Sequence, residues 1–256
     1  MDSKKVIFIT GGATSIGAAT VRLFIERGWN VAFMDIDREE ATGLTNDIAR
    51  PESILFVGGN TRSRADIDAA VDATISRWGH LDSVFANAGI HRRNTLLDIT
   101  DEELDLMIDT NIRGTVNTLR SAVPHIIASG GGSVVINVSD QWYIGKPHSF
   151  GYGLTKGALG QITRSLALDL GEQGVRVNAV CAGTVRTPLV DNLFRKYEAE
   201  GRGTAARYWE EENALYMRGR VGEPDEIARL VYFLASDESS FCTGGHFLAD
   251  GGLVAG

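Results

Sequence analysis

At 256 residues with 43% hydrophobic content, the chain can bury a sizeable core as one large or two small domains. Its formal net charge of -8 argues against a nucleic-acid surface, since phosphate binding needs clustered Lys and Arg to displace counterions. The two cysteines, Cys181 and Cys242, have no metal-ligand spacing, so no metal is expected and a reduced chain is favoured over a disulfide scaffold.

The opening stretch MDSKKVIFITGG enters a short apolar strand without a signal-peptide h-region, and no apolar run is long enough to cross a bilayer. A cytoplasmic location with no membrane partner is expected. Strands are predicted, in order, at KVIFIT, NVAFMD, SILFVG, LDSVFAN, GSVVINVS, VRVNAVC and HFLAD. They are almost wholly apolar, as strands covered on both faces must be. Helices are predicted between them over 15–28, 38–49, 63–78, 101–128, 151–171 and 224–235. Thr100 with Glu103 reads as a capping box, and Pro224 sits where a first helical turn tolerates it. This alternation is the βαβ signature of an α/β fold. It predicts one doubly wound, Rossmann-like domain over 1–256 with a seven-stranded parallel sheet and a ligand crevice at the carboxyl ends of the strands.

The stretch ITGGATSIGAAT occupies the first strand-to-helix turn. Gly11 to Gly17 there lets the backbone turn tightly and lets a pyrophosphate approach the positive end of the helix. Ser15 is small and is expected to act as an N-cap that preserves the anion site. The second strand ends in Asp35, placed to accept hydrogen bonds from an adenosine ribose. A carboxylate there repels a ribose phosphate, so NAD is favoured over NADP, with Arg38 the nearby cation that could soften the rejection. Tyr152 and Lys156, four apart on a predicted helix, share one face, and Ser139 ends the preceding strand.

With these residues the sequence resembles the short-chain dehydrogenase/reductase family along nearly its whole length. The glycine turn at 11–17, NAG at 87–89, Asn111, Ser139, YGLTK at 152–156 and ADGG at 249–252 occur in the family's order and spacing. The resemblance implies sheet order 3-2-1-4-5-6-7, a nicotinamide cofactor and a homotetramer. It assigns Tyr152 as acid/base, Ser139 as partner of the substrate oxygen, Lys156 as ribose ligand and modifier of the tyrosine, and Asn111 as anchor of a proton-relay water. Gly11, Thr14, Ser15, Ile16, Gly17, Asp35, Ile36, Asn60, Thr61, Asn87, Ala88, Gly89, Gly183, Val185 and Thr187 are expected, with Tyr152 and Lys156, to hold the cofactor. Thr187 has a second reading as the cap of a helix beginning at Pro188. The departures are Ser15 for the middle glycine, Ala86 for the first Asn of Asn-Asn-Ala-Gly, Ala182 for the Pro before Gly183, and Asn60 for an adenine-contacting Asp.

A tyrosine of ordinary pKa about 10 needs roughly 4 kcal/mol of phenolate stabilisation to act as a base near neutrality. A lysine ammonium and an oxidised nicotinamide have the right sign to provide it. The substrate is expected among HRRN after the fourth strand, DQWYIGKPH after the fifth, and a helical lid over about 188–219. Arg92, Arg93, Gln141, Trp142, His148, Arg186 and Trp209 are the candidate substrate residues, with His91 and Lys146 as further donors. Their polarity favours a polyol, sugar or sugar acid oxidised to a ketone. Two alternatives stand beside this: an NAD(P)H-dependent carbonyl reductase such as a 3-oxoacyl-carrier-protein reductase, and a non-enzymatic dinucleotide-binding sensor.

Overall fold

Alternate residues of the strands face opposite layers, so a strand apolar throughout must be covered on both sides. Val6–Thr10 (β1) is buried at every position, with Val6 and Phe8 entering one core layer and Ile7 and Ile9 the other. The computed structural model describes residues 4–255; residues 1–3 and 256 of the expected 1–256 domain, including the first residues of MDSKK, lie outside the described residues. The other strands are Asn30–Asp35 (β2), Ile54–Gly58 (β3), Ser83–Ala86 (β4), Gly132–Asn137 (β5), Val175–Ala182 (β6) and His246–Ala249 (β7). All pair in parallel in the order β3-β2-β1-β4-β5-β6-β7.

One layer is covered by Arg64–Trp78 (α3), Gly114–Ala128 (α5) and Phe150–Leu170 (α6), through residues such as Ile67, Ile126 and Leu159. The other is covered by Ser15–Glu26 (α1), Arg38–Ile48 (α2) and Pro224–Ala235 (α9), through Phe24, Leu44 and Val231. Each large apolar side chain buried this way is worth about 1.5–3 kcal/mol relative to exposure. The strand order reverses between β1 and β4, and a crevice opens at their carboxyl ends.

The predicted helix over 101–128 differs from a regular helix. Asp101–Met107 (α4) passes into a π-helical stretch at Ile108–Arg113 before α5 begins. At its start Thr100 accepts from the Glu103 N–H at 3.2 Å. The reciprocal capping box, by contrast, forms at Glu223 and Glu226 ahead of α9. The expected lid is two helices, Pro188–Ala199 (α7) and Ala205–Ala214 (α8). Tyr216 ties it to the end of β6, its hydroxyl accepting from the Thr184 N–H at 2.7 Å. No helix among the described residues is long and apolar enough to cross a membrane.

Candidate active site

The crevice, about 570 Å³, is walled by the glycine turn, Asp35 and Ile36 after β2, Asn60 and Thr61 after β3, Asn87, Ala88 and Gly89 after β4, Ser139, Tyr152, and Gly183, Val185 and Thr187 after β6. Gly11 has φ +66 and lies so near Ala88 that an added Cβ would meet its Cα at 2.9 Å. A Cβ on Gly17 would strike the Gly11 carbonyl. Ser15 has φ +52, so the position where the family pattern has glycine keeps a left-handed backbone here, at a cost of about 1 kcal/mol for a side-chain-bearing residue. This corrects the expected N-cap: Thr14 holds that place, with no side-chain bond to the first turn of α1. The first-turn N–H groups therefore face the crevice without a side-chain cap.

Asn87 fixes this turn against β4 by donating to the carbonyls of Thr10 at 3.1 Å and Gly11 at 2.8 Å. Asn137 donates to the Asn87 oxygen at 2.9 Å, and its own carbonyl accepts from Lys156 Nζ at 2.6 Å. A continuous polar chain thus joins the glycine turn to Lys156. At the far end, Asp35 accepts from the Ala13 and Asp37 N–H groups, one on each carboxylate oxygen. Each oxygen keeps a lone pair for a further donor. Asn60 Oδ1 accepts from the Arg62 N–H at 3.0 Å. Thr187 caps α7 by accepting from the Val190 N–H, which is its second reading, and it also lines the crevice.

Tyr152 and Lys156 lie one turn apart on α6, with Nζ 5.4 Å from the phenol ring centroid. Burial pushes the Tyr152 phenol well above the ordinary tyrosine range; the Ser139 hydroxyl beside it opposes this and the Asp140 charge adds to it. Burial also pulls Lys156 down to about 8. Asn111 is fully buried within the π-helical stretch. Its side chain accepts from the Ile90 N–H at 2.8 Å and donates to Ile90 O and Thr155 Oγ1, both at 3.0 Å. It therefore clasps the loop after β4 to α6.

The candidate substrate residues divide. Arg92 lines the crevice, while Arg93 is exposed beside it. Gln141, Trp142 and His148 line a separate depression of about 600 Å³ with Lys146. Trp142 stacks on His246 at 5.1 Å beneath the Arg164 guanidinium. Trp209 is on α8, donating to Asp191 at 3.1 Å with the Arg186 guanidinium 4.1 Å over its ring. His91 stands over the reacting end, its ring 4.6 Å from that of Tyr152. Burial, then the cations Arg93, Lys146, Arg92 and Lys156, pull His91 down to about 4.

Asp140 escaped the sequence reading. It is 1% exposed, accepts from Ser139 Oγ at 2.8 Å and pairs with Lys146 Nζ at 2.7 Å. An acid next to the strand-end serine, with a lysine six residues on, was the available signal.

The donor set suits a nicotinamide dinucleotide. A turn that a Cβ would fill, an uncapped helix start for a pyrophosphate and a carboxylate with spare lone pairs for a ribose are arranged along one crevice.

A family model described as Enoyl-(Acyl carrier protein) reductase matches residues 11–254. The chain is 36% identical over 256 residues to an L-fucose dehydrogenase of Mus musculus, covering 99% of this chain and 90% of that protein. It is 34% identical to a 3-alpha-(or 20-beta)-hydroxysteroid dehydrogenase of Mycobacterium bovis, covering 98% and 90%. Among solved structures, a short chain dehydrogenase family protein from Francisella tularensis superimposes with a TM-score of 0.89 at 34% identity, covering 99% of this chain and all of that one.

Proposed function

Because this chain belongs to the short-chain dehydrogenase/reductase family of oxidoreductases, we propose that it oxidises a polar secondary alcohol, a polyol, sugar or sugar acid, to the ketone with NAD. The observation that carries this reading is the meeting of Ser139 and Tyr152, with Lys156 one turn away, at one end of a crevice whose other end is Asp35. When bound, the dinucleotide supplies the hydride acceptor and, oxidised, a positive charge beside the phenol. Gly11 to Gly17 receive its pyrophosphate at the start of α1, and Asp35 takes ribose hydroxyls and repels a phosphate in their place. Thr14, Ile16, Ile36, Asn60, Thr61, Asn87, Ala88, Gly89, Gly183, Val185 and Thr187 shape the rest of that surface.

Tyr152 takes the alcohol proton at its phenol oxygen, Ser139 meets the same substrate oxygen, and Lys156 holds a ribose hydroxyl from its anchor on Asn137. Burial alone leaves the phenol protonated, so the base form depends on cationic charge arriving in the crevice. Arg92 lies at the mouth, where its planar fork suits a substrate carboxylate. The protonated phenol also favours a second reading, carbonyl reduction, in which the same oxygen gives its proton back.

Four subunits form the working particle, in a cytoplasmic setting. The groove between α5 and α6, lined by Val116, Leu119, Val123, Ile162 and Leu166, supports this, as do Leu168 and Phe241, which are 85% and 102% exposed.

The test is a panel of polyols, sugars and sugar acids assayed with NAD and NADP, together with NAD titration of Tyr152→Phe. Oxidation faster with NAD is expected in the wild type. Tyr152→Phe should lose at least about 100-fold in turnover while binding NAD within a few-fold. Substantial turnover in Tyr152→Phe removes the phenol from acid/base chemistry, and faster wild-type rates with NADP overturn the role of Asp35.

A further inference from the structure

The Ser139 hydroxyl has one proton, and it points away from the crevice, onto Asp140 Oδ1 at 2.8 Å. Its oxygen already receives the Gln141 N–H at 3.2 Å, which leaves one lone pair for anything approaching from the Tyr152 side. Asp140 is 1% exposed and its other oxygen is 2.7 Å from Lys146 Nζ. Burying a carboxylate is costly unless it is paired and hydrogen-bonded: Oδ1 takes the Ser139 proton, and Oδ2 rests on the ion pair with the part-exposed Lys146 alone, with no hydrogen bond of its own. Lys146 is held in turn: burial works against its ammonium, but Asp140, Tyr216 and Glu212 outweigh this and raise its pKa.

We propose that the Asp140–Lys146 pair sets the proton direction at the reacting end: Asp140 takes the Ser139 proton, so that Ser139 presents an accepting oxygen to the crevice. Before the phenol ionises, an accepting oxygen is met by a group that brings a hydrogen, the neutral Tyr152 phenol or an alcohol hydroxyl whose one hydrogen turns to Tyr152 once the phenolate forms, and poorly by a carbonyl, which brings none. Asp140 is thus a positioning residue acting through Ser139, and it biases ground-state binding towards alcohols. This rests on the reading of Tyr152 and Ser139 as the reacting pair.

A second consequence concerns ionisation. A negative charge behind Ser139 disfavours the phenolate, so Asp140 helps to keep Tyr152 protonated. The other charged or titratable groups around the phenol are Lys156 on its own helix, His91 with Arg92 and Arg93 on the loop after β4, Lys146 on the loop before α6, and Cys181 on β6 near Lys156 and Asp140. Asp140 is the acid among them that acts directly on Tyr152.

The test is the titration of Tyr152 itself, by the ¹³C signal of its ring carbon bearing the hydroxyl. The signal is assigned by its loss in Tyr152→Phe and followed in the NAD complex up to about pH 11. Asp140→Asn should lower the midpoint by about one pH unit, and Lys146→Met should raise it. If Asp140→Asn fails to fold, Asp140→Asn with Lys146→Met, which leaves no lone buried charge, should also titrate below the wild type, because Asp140 acts on Tyr152 directly. A charge-removed protein whose midpoint matches the wild type within about 0.2 unit, or no ionisation of Tyr152 below about pH 11 in any of them, overturns the proposal. Turnover persisting in Tyr152→Phe would instead sink the acid/base reading, and the midpoints would still decide the role of Asp140.

Discussion

His91 is one of two bases, with Lys156, that burial depresses strongly, and its ring lies against that of Tyr152. Folded, it protonates at about 4, whereas in the unfolded chain it protonates near 6.5. The unfolded state therefore binds the proton first as pH falls. Stability declines between about 6.5 and 4 and levels off below, by an amount on the order of 2 kcal/mol once its partial exposure is allowed for. His91→Gln should flatten denaturant-derived stability across that window, and an imidazole resonance titrating near 6.5 in the wild type would contradict this. Above pH 6.5 the ring is neutral and adds no charge beside the phenol.

At the scale of elements, the glycine turn is defined by collision rather than by flexibility. Gly17 touches the Gly11 carbonyl and cannot take a side chain without moving the start of α1. Gly17→Ala should weaken NAD binding at least tenfold by titration, because displaced N–H groups no longer converge on a pyrophosphate; unchanged affinity would remove this turn from the cofactor site. The strands and this turn were legible because double burial leaves an unbroken apolar run and a tight turn demands glycine. Tyr152, Lys156 and Ser139 were legible from helical spacing and a strand end. The π-helical stretch around Asn111 left no such mark: it is set by the clasp from Asn111 to Ile90 and Thr155, contacts far away in the chain. The packing of Trp142 and Trp209 was hidden for a related reason. An aromatic in a loop looks available, and only the fold reveals His246 and Arg186 already stacked on these rings.

For the whole molecule, the groove between α5 and α6 and the outward Leu168 and Phe241 predict assembly. Each such side chain gains about 1.5–3 kcal/mol when a neighbour covers it. Light scattering should give a four-subunit mass, and Leu168→Glu with Phe241→Glu should reduce it; a wild-type monomer at working concentration would defeat the prediction. The sheet order has a different consequence, visible when the chain is followed in the order of its synthesis. β1 is made first yet lies inside the sheet, paired to residues 30–34 on one side and to residues 83–86 on the other. Residues 11–61 contain the glycine turn, Asp35 and Asn60, so the part of the crevice proposed for the adenosine is encoded ahead of the rest. The turn gains its Asn87 clamp only later, and Ser139, Tyr152 and Lys156 emerge later still. Along the sequence, the residues proposed to hold a nucleotide therefore precede those proposed to react with one.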